Sequence, residues 1–258
     1  MKTRLFNIGA ALALLMLAVV SPACKRDKGT SVLQMRMMDA PSPYDFDAIY
    51  LDVIRAEVHV DADGGSGEWI PLTTAAGVYD MLTLINGRDV LLTDEEIPSG
   101  EISQVRLILG GGNTIIVDGI SYPLTIPSSE TSGLKINVHE HVSDGEHMTL
   151  MLDFDAAHSI KVRGGEYGLS PVLHAVVLEH TGSIHGTMNI VTGGSVAVIA
   201  EMNASTSYTT YTDRSSGEFL LRGMAPGTYT VKVYYPDSDH AVVYDNVVVS
   251  ANVVTELN

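Results

Sequence analysis

The sequence predicts an all-β protein built from two β-sandwich domains. Three observations carry this. Apolar residues recur with a period of two through most of the chain, as in Val32-Leu33-Gln34-Met35-Arg36-Met37, which marks strands with one buried face. Turn formers punctuate these runs, with 24 Gly and 10 Pro in 258 residues. Only Gly77 to Ile85 and Asp155 to Ile160 read as short helices.

In chain order, Val32 to Met37 opens the first domain. Ile49-Tyr50-Leu51-Asp52-Val53-Ile54 then runs on into Val58-His59-Val60. The acidic, Gly-rich stretch from Asp61 to Gly67 is a turn. Strands follow at Val105 to Leu109, Thr114 to Val117 and Ile120 to Ile126, the last two joined at Asp118-Gly119, a strong hairpin signal. Leu134 to Val142, Met148 to Phe154 and Tyr167 to Leu178 complete a domain over residues 31–178. Glu179 to Gly182 reads as the junction. Beyond it, seven strands are expected at 183–191, 195–202, 206–213, 217–222, 228–235, 241–249 and 253–257, the spacing of a compact sandwich over 182–258.

The N-terminus is of a different kind. Lys2 and Arg4 precede an apolar, uncharged run from Leu5 to Val20. A spanning helix takes about 20 such residues, so this run fits a secretory signal of residues 1–23 better than a membrane anchor. Ser21-Pro22-Ala23 supplies small residues before the cut, and Cys24, the only cysteine, stands directly after it. That placement resembles the lipidated cysteine of a bacterial lipoprotein, with residues 24–30 as lipid site and tether. The alternative is ordinary cleavage after Ala23, since Ser21 stands where lipoproteins usually carry Leu or Val. A multiply acylated cysteine holds a protein stably on a membrane.

Loss of residues 1–23 leaves 235 residues with 13 basic and 31 acidic side chains, a net charge of −18. Nucleic acid and anionic lipid surfaces are poor partners for such a chain. Cationic ligands, divalent metals and neutral glycans fit it better. With no second cysteine, both domains rest on their cores alone.

Two family resemblances follow from particular residues. Gly182-Ser-Ile-His-Gly186, Thr212-Asp213, Gly217-Glu-Phe219 and Leu221-Arg-Gly223-Met-Ala-Pro226-Gly227-Thr-Tyr229-Thr-Val231 resemble the carboxypeptidase regulatory-like family. This implies a transthyretin-like sandwich of prealbumin topology, serving as a binding or spacer module. Pro226-Gly227 makes its tight turn, and the Tyr229 ring is placed to cover the open end of the core. Some members carry a Lys–Asn isopeptide bond. The first strand here has no Lys, so none is expected. The first domain resembles a bacterial lipoprotein family known as domain of unknown function 4382. The residues that carry this are Asp39-Ala-Pro-Ser-Pro-Tyr44 with Phe46-Asp47, Gly77-Val-Tyr-Asp80, Gln104-Val-Arg-Leu-Ile-Leu109, Val117-Asp-Gly119 with Tyr122-Pro-Leu124, Ser132-Gly-Leu-Lys135 and Leu152-Asp-Phe-Asp-Ala-Ala157. It implies no activity.

The two halves also echo one another. Pro98-Ser-Gly100-Glu-Ile102 parallels Pro226-Gly227-Thr-Tyr229. Each is followed by an Asp-centred turn, Asp118 at a spacing of 20 residues and Asp245 at 19. This predicts one strand–turn–strand unit used twice, with the first domain an elaborated sandwich of related topology.

Four constellations bear on chemistry. His139 and His141 share a strand face, and His147 is placed to join them across a turn at Asp144-Gly145, a weak beginning of a zinc site. Asp61, Asp63 and Glu68 surround a Gly-rich loop, but Gly65 stands where a calcium loop needs an oxygen ligand, so an acidic hairpin turn is expected. Asp153 and Asp155 flank Phe154 on one face, the pairing glycoside hydrolysis uses. Capping of the Ala156–Ile160 turn, or pairing with Arg106 or Lys135, is the reading preferred for them. Trp69, Tyr208 and Tyr211 are candidate sugar-stacking rings, with core or rim aromatics as the plainer reading. No Gly-x-Ser-x-Gly elbow occurs. Gly110-Gly-Gly112-Asn113 lacks the Lys and the helix of a phosphate cradle.

The expectation is therefore a non-enzymatic envelope protein with no catalytic residue and no cofactor. It is anchored through lipid on Cys24, on the outer membrane, and presents loops to a glycan or protein ligand. A structural or assembly accessory of a surface complex is the alternative, followed by a metal-binding or carbohydrate-active protein.

Overall fold

The structure, a computed structural model, describes residues 29–40, 46–62, 67–126, 133–189, 195–235 and 240–257. The signal-sequence and Cys24 readings lie outside the described residues, as do Asp63 and Gly65. Among the described residues no helix is long and apolar enough to cross a membrane.

The buried apolar residues fall into two clusters. One spans Leu33 to Val177 and the other Ile184 to Leu257. The first is enclosed by two sheets. β1 (Thr30–Ala40) lies antiparallel to β5 (Val90–Pro98) and parallel to β10 (His147–Asp155), and β13 (Leu173–Val177) covers the far edge of β10. The opposing sheet is organised on β2 (Ala48–Asp61). On one side of β2 lie β3 (Glu68–Pro71) and β4 (Gly77–Asp80). On the other lie β6 (Gly100–Leu109) and β7 (Thr114–Val117), with β9 (Leu134–Val142) and β8 (Ile120–Pro123) beyond them. A separate hairpin of β11 (Ile160–Arg163) and β12 (Glu166–Leu169) follows α1 (Ala156–Ser159).

Strict alternation explains most of this. Leu33, Met35 and Met37 of β1 are buried, as are Leu150, Leu152 and Phe154 of β10. β2 changes phase midway: Ile49, Leu51 and Val53 point inward, then Ala56, Val58 and Val60. The register against β6 shifts between Val53 and Arg55, so a bulge absorbs one residue and returns the second half of the strand to the core. Ile54 is turned outward there.

The sequence reading departs from the structure in several places, the short strands β3 and β11 among those it lacks. Gly77 to Ile85 is a strand, β4, followed by a single 3-10 turn at Met81–Thr83 that Asp80 caps. Pairing of β4 with β2 overrides the local helical pattern. β5 was not foreseen, because Asp94-Glu95-Glu96 hides its alternation, and such charges suit an edge strand. Tyr167 to Leu178 is two strands, β12 and β13, in different sheets. At Asp155 to Ile160 the short helix is present as α1.

The second cluster lies between sheets of order β17-β14-β20 and β16-β15-β18-β19. Their strands are β14 (Gly182–Thr187), β15 (Ala197–Asn203), β16 (Thr206–Tyr211), β17 (Glu218–Met224), β18 (Gly227–Tyr234), β19 (Val242–Val249) and β20 (Val254–Leu257). β14 is central and packs closely. A Cβ on Gly186 would lie 2.7 Å from the Phe219 ring, and one on Gly182 would lie 2.3 Å from the Ser250 carbonyl oxygen. The Pro226-Gly227 turn leads into β18. There the buried Tyr229 donates its hydroxyl to the Ala225 carbonyl at 2.7 Å.

Both sandwiches share one topology. In each, the first strand is central between an antiparallel strand, the fifth of the first domain and the fourth of the second, and a late parallel strand: β5-β1-β10 and β17-β14-β20. In each, the second strand lies between the third and the strand entered from the Pro-Gly segment, β6 or β18, and β9 or β19 pairs outside that one; β4, β7, β8, β11, β12 and β13 are additions of the first domain. The first half of the echo therefore holds: Pro98 and Pro226 precede equivalent strands. The second half does not. Asp118 caps the β7–β8 hairpin, whereas Asp245 lies inside β19. The true counterpart of Asp245-Asn246 is Val138-His139. Asn246 at φ 59° and His139 at φ 57° each hold a bulge where the register slips, between Tyr229 and Val231 in one domain and between Ile102 and Gln104 in the other.

Candidate functional site at the domain junction

The two cores are joined at two points. At the first, a 3-10 turn, Leu178–His180, links β13 to β14. Glu179 accepts the Thr149 backbone N–H with both carboxylate oxygens at 3.0 Å. Asn252, between β19 and β20, donates its amide to the Glu179 carbonyl at 2.8 Å and its backbone N–H to the Thr181 carbonyl at 2.8 Å.

The second point is the segment before β5. The Asn86 side chain treats β17 as a neighbouring strand would, accepting from Leu220 N–H at 2.7 Å and donating to the Glu218 carbonyl at 3.1 Å. Arg88 lies 3.3 Å from Asp213. Hydrogen bonds from Ser215 and the Ser216 backbone, reinforced by Arg88, lower the Asp213 carboxyl to about 2. Asp89 joins Arg36 of the first domain to Arg222 of the second, with Arg222 Nη1 2.5 Å from its carboxylate. The Asp89 side chain is only 6% exposed, so this bridge is largely shielded from water.

Between the two points lies a groove of about 240 Å³, lined by Val138, Leu150 and Val176 from one side and Tyr208 and Pro226 from the other. Glu140 and His180 sit at its rim 3.7 Å apart. Tyr208 is held by accepting from Ala225 N–H at 3.1 Å and by edge contact with Tyr229, centroids 6.1 Å apart. Burial, and then Tyr208, push the Tyr229 hydroxyl up to about 12. The groove is thus an apolar slot with a carboxylate–imidazole pair at its mouth.

The histidines expected to begin a metal site are not assembled. β9 pairs with β6, and β10 pairs with β1 and β13, so the Asp144-Gly145 turn crosses between sheets and forms no hairpin. His147 therefore belongs to a different sheet from His139 and His141, and the left-handed His139 breaks the strand face that was to present the first two. Among the described residues no three His, Cys, Asp or Glu side chains form a metal-holding group. Asp61 ends β2 and Glu68 opens β3, which pair antiparallel, while Asp63 and Gly65 of the acidic loop between them lie outside the described residues.

Trp69 is not a free platform. Arg106 lies over its ring at 4.3 Å, Lys135 lies at 5.8 Å, and His59 meets its edge at 5.1 Å. Arg106 also binds Glu57, which Arg55 reaches at 2.7 Å. Burial pushes the Glu57 carboxyl up, but the two arginines prevail and its net shift is downward. Tyr211 is half-buried at the end of the edge strand β16. Gly110 to Asn113 forms a tied bulge, with Asp52 N–H donating to Asn113 Oδ1 at 2.9 Å and Gly112 N–H to Asp52 Oδ2 at 2.9 Å.

Asp155 caps α1, accepting from His158 N–H at 2.9 Å, and neither Arg106 nor Lys135 is its partner. Asp153 and Asp155 gain a neighbour that the sequence reading missed. Asp39, buried at the end of β1, accepts from Ala156 N–H at 3.2 Å, while its second oxygen has no partner. Burial, then the charges of Asp153, Asp155 and Asp80, raise its carboxyl to about 9. Burial raises Asp153 to about 7. The signal for Asp39 was its position: it continues the inward series of Met35 and Met37.

These features define the class: a tandem of two β-sandwiches of one topology, clamped at their junction. The chain belongs to the family described as Domain of unknown function (DUF4382), whose model matches residues 30–171. Residues 181–257 match the model described as Polysaccharide lyase family 4, domain II. No curated protein matches the chain. Among solved structures, a leucine-rich repeat protein of Bacteroides thetaiotaomicron is 14% identical, with 88% of this chain and 25% of that one covered and a TM-score of 0.20. A fimbrial protein of Bacteroides ovatus is 10% identical, with coverage of 89% and 48% and a TM-score of 0.27. A minor pilin of Streptococcus agalactiae is 10% identical, with coverage of 87% and 93% and a TM-score of 0.22. The chain thus spans a quarter of the first and about half of the second, and scores this low carry no argument about shape.

Proposed function

We propose that this is a non-enzymatic protein of the bacterial cell envelope, anchored by lipid on Cys24, whose two sandwiches act as one stiff unit that holds a binding surface away from the membrane. The observation that carries this reading is the Asp89 bridge between Arg36 and Arg222. A catalytic appendage needs no such tie, whereas a spacer or assembly subunit transmits position through it. The lipoprotein reading rests on Cys24 directly after a signal-like run. In this proposal the second domain is a carboxypeptidase regulatory-like module. Its match to a domain of a polysaccharide lyase family favours a glycan over a protein as the ligand. Metabolic labelling with a palmitate analogue tests the anchor: label is expected on the wild type and lost in Cys24→Ala. Protease treatment of intact cells then separates a surface face from a periplasmic one.

A further inference from the structure

The shared topology gives both domains an equivalent sheet face, the outer side of β3-β2-β6-β9 in the first and of β16-β15-β18-β19 in the second. The two faces are finished differently. In domain one the face carries Trp69, and Arg106 and Lys135 lie over its ring. In domain two the register sets Tyr211 of β16 and Tyr234 of β18 on either side of Ala197 of β15, one row across three strands. Val198, Thr210 and Val233 are buried, so alternation turns this row outward. Tyr234 is 42% exposed, and Tyr211 is half-buried at the sheet edge. Neither side chain makes a hydrogen bond or a ring contact among the described residues. Lys232, in the next row, is drawn away from the rings by Glu201, 2.5 Å from its Nζ. The ties to domain one run through β17 and the turn after β19, and no residue of this row takes part in them.

Spacing and charge select the ligand. Tyr211 and Tyr234 stand two strands apart, which sets them about 9.6 Å from one another along the row. That is the repeat of two residues in an extended β-1,4-linked glycan, so alternate sugars of such a chain meet successive rings. Each tyrosine offers an apolar ring to the C–H side of a sugar and a hydroxyl to its rim. Ala197 adds only a methyl group between them, which leaves room for the intervening sugar. Sheet twist turns the two outer strands by roughly 45°, which suits a single chain in solution and not the flat surface of a crystalline polymer. Lys232 is the only cation on the four strands, and Glu201 holds it. Asp245, bound to Thr230 at 3.1 Å, adds a further negative charge. These strands keep no cation for a carboxylate or sulfate of the ligand, and the acidic chain repels one, so the chemistry favours a neutral glycan.

We propose that the outer face of β16-β15-β18-β19 binds a neutral, extended, β-1,4-linked glycan, with alternate sugars stacked on Tyr211 and Tyr234. The proposal rests on the glycan reading above, to which it gives a place and a chemical class, and stands apart from the stiffness of the domain junction. Titration of the full mature chain, followed by NMR, tests it with the β-1,4-linked tetramers of glucose, mannose and xylose, with the corresponding dimers, and with tetramannuronate as the acidic counterpart. Saturable binding of at least one neutral tetramer is expected, with shifts centred on residues 197–201, 207–211 and 230–234. That tetramer, which spans both rings, should bind at least about tenfold more tightly than its dimer, which reaches only one, and than tetramannuronate. Tyr211→Ala and Tyr234→Ala should each weaken the tetramer about tenfold and remove its advantage over the dimer. Tyr234→Phe should retain binding, and Ala197→Gln, which fills the gap with both rings in place, should weaken it. Equal affinity for dimer and tetramer, equal or tighter binding of tetramannuronate, unaltered affinity in Tyr234→Ala, or failure of all three neutral tetramers would each overturn the assignment. Capture of another glycan on an array, with this face unperturbed, would end the proposal and leave the glycan reading intact, whereas no capture of any glycan would end both.

Discussion

Asp89 and Arg222 approach to 2.5 Å across the boundary between the two cores, with Asp89 also holding Arg36. The arrangement uses one shielded carboxylate to satisfy two cations from different domains. Asp89→Ala strips both guanidiniums of their partner, a loss of about 3 kcal/mol. Because the cost falls on the junction, unfolding should divide. Calorimetry of the wild type should show one cooperative transition, and Asp89→Ala should show two. A single transition displaced as a whole would place the lost energy inside one core.

The carboxyls of Asp39 and Asp153 are raised by burial, to about 9 and about 7. The unfolded chain releases these protons near 3.8, the ordinary value for an aspartate, before the folded protein does. From about pH 4 upward the unfolded state binds fewer protons, so stability falls as pH rises: through about 7 for Asp153 and about 9 for Asp39. Urea denaturation between pH 5 and pH 9 should therefore show weakening toward alkali. Asp39→Asn should flatten the slope and raise stability at pH 8, because the amide carries no charge to bury. An unchanged slope in that variant would assign the effect elsewhere.

Tyr229 and Tyr79 make the same local bond in very different surroundings. Tyr229, buried, donates to the carbonyl four residues back at 2.7 Å; Tyr79, half-buried, donates at 2.5 Å to the carbonyl of the exposed Ala75. Tyr229→Phe takes a partner from a half-buried carbonyl and should cost about 1–2 kcal/mol. Tyr79→Phe should change stability by no more than about 0.5 kcal/mol, since water replaces its bond. Equal losses would mean that burial does not set the value of this contact.

The matched bulges at His139 and Asn246 hold left-handed backbone, at φ 57° and 59°. A β-branched side chain is strained there, so His139→Val and Asn246→Val should each destabilise by about 1–2 kcal/mol. The glycine variants at both sites should be tolerated. A tolerated valine would show that the bulge can relax without loss.

Much of the fold was legible because alternation and turn residues are local. Thr114–Val117 and Leu134–Val142 coincide with β7 and β9, and seven strands occupy the second domain. β5 was hidden by Asp94-Glu95-Glu96, since edge position is a tertiary property. Gly77 to Ile85 misled because its fate was decided by β2. The shared topology was half visible, in the Pro-Gly entries to β6 and β18, but the bulge at His139 resembles that at Asn246 in backbone and not in residue. The candidate site was the least legible part. Asn86, Asp89 and Arg222 belong to segments more than 120 residues apart in sequence, and no periodic signal joins them. Asp39 alone could have been found, as a carboxylate on the inward series of β1.

The central claim is that the two sandwiches move as one body. Backbone 15N relaxation of the mature chain tests it directly, through the rotational correlation time of each domain. The clamp at Asp89 and the ties at Glu179 and Asn252 predict one common value, that of the whole particle. Two separate and shorter values, one for residues 30–177 and another for residues 182–257, would contradict it.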